Sequence, residues 1–225
     1  MVIPALDEEA SIARVLADIP EELVRAVVVA DNGSTDRTAE VAAGMGALVV
    51  AEAQRGYGSA CLAGIRRSAA LLPPPDIVVF LDADYSDHPD QIGQVLAPIL
   101  TGRADLVIGS RLLGNREPGA LLPQARFGNW VAAVLIRLLY QVRITDLGPF
   151  RAIRAEALTA LAMEDRDFGW TVEMQVKAAR AGLQVVEVPV SYRRRIGKSK
   201  ITGTLAGSIR AGWKIVTTIL RYARS

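Results

Sequence analysis

Apolar positions in the first 110 residues fall into short blocks separated by longer, amphipathic stretches. Val2-Ile3-Pro4, Ala26–Ala30, Ala47–Val50, Ile77–Leu81 and Asp105–Gly109 are short runs rich in β-branched residues, the pattern of strands buried on both faces. Between them the apolar residues recur at helical spacing. Ile12, Val15, Leu16 and Ile19 form such a stripe and stop at Pro20, with acids Asp7, Glu8 and Glu9 at the favourable N-terminal end. Further helices are predicted over 38–43, 56–72 and 89–100. Strand and helix alternate as right-handed crossover units do, which predicts an α/β fold with a mainly parallel sheet and helices on both faces.

The second half is less regular. Residues 114–123 hold two glycines and two prolines and read as a loop. A helix apolar nearly all round is predicted over 130–140. A turn and a short strand follow over 145–151, then helices over 156–161 and 172–181. Gln184–Val190 is a late strand, and Pro189 predicts a place near the sheet edge. The last 25 residues mix Ile201, Leu205, Ile209, Ile215, Val216, Ile219 and Leu220 with Arg210, Lys214, Arg221 and Arg224, an amphipathic helix. Such a helix suits a membrane interface, where Trp213 and Tyr222 would sit at the boundary; it equally suits packing onto its own domain or a second subunit. The chain therefore divides into a domain over 1–200, whose halves are 1–110 and 111–200, and a helix over 201–225.

Composition narrows the classes. A chain of 225 residues, 51% of them apolar, can bury one sizeable core. Lys and Arg exceed Asp and Glu by only two, 26 against 24, so bulk nucleic-acid binding is not expected. Cys61 is the only cysteine, no secretory signal is visible, and no charge-free apolar run is long enough to span a bilayer. The expected location is the cytoplasm, either free or on the cytoplasmic face of a membrane.

Candidate chemistry begins where the fourth strand ends. Asp82 and Asp84 stand one residue apart, so in extended backbone both carboxylates point the same way, beyond the carboxyl end of the strand. Hard divalent cations take carboxylate oxygens and share them with substrate phosphates. Taken alone, the triplet reads more often as the acidic start of a solvated turn. Asp31 closes the second strand ahead of Asn32-Gly33-Ser34-Thr35-Asp36, chemistry that also suits a cap or an Asx turn. Arg55-Gly56-Tyr57-Gly58 opens a helix whose free N–H groups suit phosphate, although tight packing explains the glycines too. The basic run Tyr192–Lys200 reads as a solvated loop, a nucleic-acid patch or a phosphate clamp; the scarcity of stacking aromatics disfavours the second.

Taken in order, Val2–Glu9, Asp31–Asp36, Asp82-Ala83-Asp84, Gly109-Ser110-Arg111 and Arg194–Lys200 resemble the family-two GT-A glycosyltransferases, in the branch of dolichyl- and polyprenyl-phosphate mannose or glucose synthases. The resemblance covers essentially the whole chain. It implies a GT-A fold and inverting transfer of a hexose from a nucleotide-diphosphate sugar, UDP-glucose or GDP-mannose, to a polyprenyl phosphate at the membrane surface. It implies a nucleotide cradle of Pro4, Ala5, Glu8, Asp31, Gly56, Asp82 and Ala83, and Mg²⁺ or Mn²⁺ on Asp82 and Asp84. Phosphates are assigned to Arg111, Arg126, Arg151, Arg194 and Lys200, since guanidinium pairs bidentately with phosphate.

Catalytic roles fall on Asp84, Arg111, Asp146 and Glu173, the last as a site residue but not a base. An ionised phosphate acceptor needs positioning more than deprotonation. Ser86 stands where many relatives carry glutamine, Trp130 where they carry a small hydroxyl residue, and Gly148-Pro149-Phe150 where Ser-Gly-Phe is common. A homo-oligomer is compatible with this pattern. The rivals are a soluble transferase acting on a small hydroxylated or phosphorylated metabolite, a nucleotidyltransferase, and a nucleotide-sugar-binding scaffold.

Overall fold

A computed structural model describes residues 1–197 and 205–223, with side chains omitted over 205–211. Seven strands form one sheet: β1 (Val2–Ala5), β2 (Val28–Asp31), β3 (Leu48–Ala51), β4 (Ile77–Phe80), β5 (Leu106–Ser110), β6 (Arg151–Arg154) and β7 (Val185–Pro189). Their order is β3-β2-β1-β4-β6-β5-β7. All neighbours are parallel except β6, which runs antiparallel to both β4 and β5. The continuous βαβ series expected through residue 109 is thus interrupted. After β4, helix α4 (Ile92–Leu100) delivers β5 one place away, and the vacant slot is filled by β6, more than forty residues later in the chain. Strand β7 lies at the edge, as its proline predicted.

Strand alternation sorts the core into two layers. Ile3, Val29, Val79, Val107 and Ala152 pack beneath α1 (Ile12–Ala17), α2 (Thr38–Gly44) and α4. Val2, Val78, Phe80, Leu106, Ile108 and Ile153 face the other way, beneath α3 (Tyr57–Ala69), α6 (Ala155–Leu161) and α7 (Trp170–Arg180). Trp170 is fully buried there, edge-on to Phe80 at 4.7 Å between ring centroids. Such a pair contributes about 0.5–1.5 kcal/mol beyond the area it buries.

Helix α5 (Pro123–Tyr140) begins seven residues before the predicted start at 130. Pro123 occupies the first turn, where its missing N–H costs nothing, and Gln141 ends the helix in the left-handed conformation. Helix α8 (Leu205–Ala223) packs on α5 and α7 through Ile219 and Ile215, joining Ala132, Ile136, Val172 and Val176 in a third apolar cluster. The hydroxyl of Tyr140 donates to the Ile219 carbonyl at 2.6 Å. The inner face of the last helix is therefore docked on its own domain, while Trp213 remains 72% exposed.

Candidate active site

A cavity of about 1240 Å³ opens beyond the carboxyl ends of β1, β4 and β5. Pro4, Ala5, Glu8, Gly56, Asp82, Ala83, Asp84, Arg111 and Arg194 line it, residues separated by as much as 190 positions in sequence. Asp31 sits beside Ala5 in the β1–β2 register and is buried. One of its oxygens accepts from the Ser34 N–H at 3.2 Å, as an Asx turn does. The other has no hydrogen-bond partner among the described residues. Asn32, the next residue, reaches the cavity wall.

Asp82 and Asp84 are held differently. The Tyr57 hydroxyl donates to Asp82 Oδ1 at 2.9 Å. Burial, reinforced by the neighbouring Asp84 charge, raises the Asp82 pKa to about 6. Asp84 Oδ1 accepts from both the backbone N–H and the hydroxyl of Ser86, so the serine orients this carboxylate. Its other oxygen meets the Arg195 guanidinium at 2.9 Å. Asp87 is also buried, and neither of its carboxylate oxygens has a hydrogen-bond partner among the described residues. Burial first, then Asp82, holds its pKa well above the ordinary value. Asp82 and Asp84 both line the cavity, and with a cation already drawn to one of them these carboxylates form a donor set that fits a hard divalent ion.

Arg111 is fixed by Asp146. Its Nε and Nη2 donate to the two carboxylate oxygens at 2.7 Å each, and its backbone N–H adds a third bond at 2.9 Å. Asn129 of α5 donates to the same carboxylate. Burial alone would raise the Asp146 pKa, but the Arg111 charge and hydrogen bonds outweigh it and leave the carboxyl below its ordinary value. Asp146 does not line the cavity. It orients the arginine that does.

Three predicted contacts are corrected by the structure. Glu173 is completely buried and faces away from the cavity. Its oxygens accept from the N–H groups of Glu164 and Asp165, from Lys177 and from the Tyr222 hydroxyl, so it ties the segment above the cavity to α7 and α8. Arg151 is likewise buried; it donates to the carbonyls of Leu147, Gly148 and Thr171, leaving little capacity for a phosphate. Burial lowers its pKa to about 10. Arg126 lines a separate cavity of about 380 Å³, with Leu112, Pro123, Phe127 and Trp130. Lys200 lies outside the described residues.

Gly56 and Gly58 answer to packing. Gly56 has φ +139°, and a Cβ there would stand 2.0 Å from the Arg166 carbonyl oxygen. At Gly58 a Cβ would stand 2.0 Å from that of Asp165. Their absence lets segment 165–168 close one side of the cavity, where Arg166, Asp167 and Phe168 line it. Tyr57, Asp87, Asn129 and Arg195 had no distinguishing signal in the sequence. Arg195 belongs to the recognised basic run, but Arg193, Arg194 and Arg195 are identical letters until the backbone aims them.

Comparison with known proteins agrees with this geometry. The model of glycosyl transferase family 2 matches residues 1–161. An uncharacterized glycosyltransferase of Mycobacterium tuberculosis is 44% identical over 223 residues, covering 96% of this chain and 97% of the relative. An undecaprenyl-phosphate mannosyltransferase of Micrococcus luteus is 32% identical over 222 residues, covering 92% and 88%. Among solved structures, glucosyl-3-phosphoglycerate synthase from Mycobacterium tuberculosis, in complex with Mn²⁺, UDP-glucose and phosphoglyceric acid, superposes with a TM-score of 0.77. It is 27% identical, and the match covers 99% of this chain and 78% of that one.

Proposed function

Because the chain belongs to glycosyltransferase family 2, we propose that it moves a hexose from a nucleotide-diphosphate sugar to a polyprenyl phosphate presented at a membrane surface. Asp82 and Asp84 would hold Mg²⁺ or Mn²⁺, whose chemistry is to offset charge on the diphosphate as it leaves. Pro4, Ala5, Glu8 and Gly56 form the nucleotide end of the cavity, with Asp31 beside Ala5 on the neighbouring strand. Arg194 and Arg195 stand at the diphosphate end. Arg111 receives the acceptor phosphate, its guanidinium pre-oriented by Asp146 so that little ordering is left for the moment of binding. A phosphate oxygen attacks the anomeric carbon, the bond to the diphosphate breaks, and the electron pair departs with the nucleoside diphosphate. No general base is assigned, because a phosphate monoester is anionic near neutrality. Inversion at the anomeric carbon accompanies this single in-line displacement.

The observation carrying the lipid acceptor is the wall beside Arg111. Helix α5 lines the cavity with Gln124, Ala125, Gly128 and Asn129, then exposes Phe127, Trp130 and Leu138 at 65, 61 and 72%. No acidic residue lies between Glu117 and Asp146, or after Glu187, whereas Arg126, Arg137 and Arg143 occupy the first stretch. An apolar stripe flanked only by cations suits acyl chains under anionic headgroups. No described helix is long and apolar enough to cross a membrane. The glucosyl-3-phosphoglycerate synthase likeness supports a second reading, in which the acceptor is a small phosphorylated metabolite.

The test offers UDP-glucose and GDP-mannose, each with Mn²⁺, to undecaprenyl phosphate in detergent and separately to 3-phosphoglycerate. Hexose recovered in the organic phase is the expected result. Hexose transferred only to the water-soluble acceptor would overturn the lipid assignment. Absence of turnover with both donors would remove the proposed donor class.

A further inference from the structure

The late loop is fastened to segment 84–87 through Arg193 and Ile196, on either side of Arg195. The Arg193 N–H donates to the Ser86 carbonyl at 2.9 Å, and the Ile196 N–H to that of Asp84, also at 2.9 Å. The Arg193 guanidinium donates to the carbonyls of Tyr85 and Asp87 and lies 3.3 Å from the Tyr85 ring centroid. Tyr85 itself has φ +64°, a left-handed conformation unusual for a bulky residue. It is pinned further by its hydroxyl, which donates to Asp18 at 2.7 Å. Between these fixed points Arg195 has a set backbone and a side chain on the cavity wall, 34% exposed, whose guanidinium rests on Asp84 Oδ2. That oxygen is the one Ser86 leaves free.

We propose that Arg195 is an exchangeable counter-cation. It neutralises Asp84 while the site lacks metal, yields that oxygen when a divalent ion binds, and then turns into the cavity to pair with the donor's diphosphate. The inference rests on the metal-dependent transferase reading above. Electrostatics favours the exchange: a divalent cation on the oxygen that lies 2.9 Å from this guanidinium would repel it and weaken the Arg195–Asp84 pair. A diphosphate offers the displaced guanidinium a bidentate anionic partner within the same cavity. Metal and nucleotide binding are thereby coupled through one side chain. Metal alone must break the Arg195–Asp84 pair, whereas metal with nucleotide replaces it.

The experiment measures Mn²⁺ binding by electron paramagnetic resonance of free Mn²⁺, with and without UDP or GDP, in wild type, Arg195→Gln and Arg195→Lys. For Arg195→Gln without nucleotide, Mn²⁺ should bind about two- to fivefold tighter, the range expected for removing a partly exposed charged competitor. The enhancement of Mn²⁺ affinity by nucleotide should shrink by a similar factor, because the displaced partner is gone. Arg195→Lys should restore both values toward wild type, since its charge can still exchange. Equal or weaker Mn²⁺ binding by a folded Arg195→Gln protein, with nucleotide coupling intact, would overturn the counter-cation role and leave the transferase reading standing. If wild type takes up no Mn²⁺ with either nucleotide, the metal reading and this inference fall together.

Discussion

Replacing Asp146 by Asn isolates the interaction that orients Arg111. In the native protein the Asp146 side chain is fully buried and that of Arg111 is 12% exposed, so water screens the pair poorly. Three hydrogen bonds from Arg111 and one from Asn129 converge on this carboxylate. Asparagine preserves the volume but removes the charge and turns one acceptor into a donor facing other donors. Leaving a buried charge without its partner costs about 3–5 kcal/mol. For a chain of this size each kcal/mol shifts Tm by about 2–4 °C, so a fall of about 6–20 °C is expected by circular dichroism. The double variant Arg111→Met with Asp146→Asn removes the orphaned charge and should recover at least half of that loss.

The pair also has a defined pH signature. The folded pKa of Asp146 lies below its unfolded value of 3.8, so its contribution is complete above about pH 4 and fades as pH falls through the lowered folded value. The Tm gap between wild type and Asp146→Asn should therefore narrow in acid and stay constant toward neutrality. Activity should separate the roles further, because Asp146→Asn raises the acceptor KM through a misplaced Arg111 while donor affinity changes little. A loss below about 1 kcal/mol, or a double variant no more stable than the single one, would refute the account of a buried, mutually dependent pair.

Three other outcomes are expected. Asp84→Asn should abolish Mn²⁺-dependent hexose transfer with Tm within a few degrees of wild type; collapse of the fold instead would make this acid structural. Glu173→Gln should lower Tm and expose α8 to limited proteolysis, because Tyr222, Lys177 and two backbone N–H groups lose a shared anion. The pH profile of its remaining kcat/KM should keep the wild-type limbs, and loss of a basic limb would reinstate a proton-transfer role. Gly58→Ala should weaken nucleotide binding at least tenfold in calorimetry, since the new Cβ must push segment 165–166 off the helix start; unchanged affinity would separate that packing from the donor site.

Local pattern carried much of this protein. The block-and-stripe alternation of the first 110 residues, the acids at the end of the fourth strand and the arginine after Gly109-Ser110 were legible because strand periodicity and strand ends are properties of neighbouring residues. Asp82, Asp84, Arg111, Pro4, Ala5, Glu8 and Gly56 accordingly meet at one cavity. Tertiary structure decided the rest. Sequence spacing contains no record that β6 slips between β4 and β5, because the pairing joins strands more than forty residues apart. Nor can it rank arginines. Arg111, Arg126, Arg151, Arg194 and Arg195 carry the same group, yet one is clamped by a buried carboxylate, one lies on an apolar side groove and one is consumed by carbonyls. Two more line the cavity, and of these Arg195 alone rests on Asp84. A charged side chain's role follows from what surrounds its last few atoms, and those surroundings are assembled only when distant segments pack together.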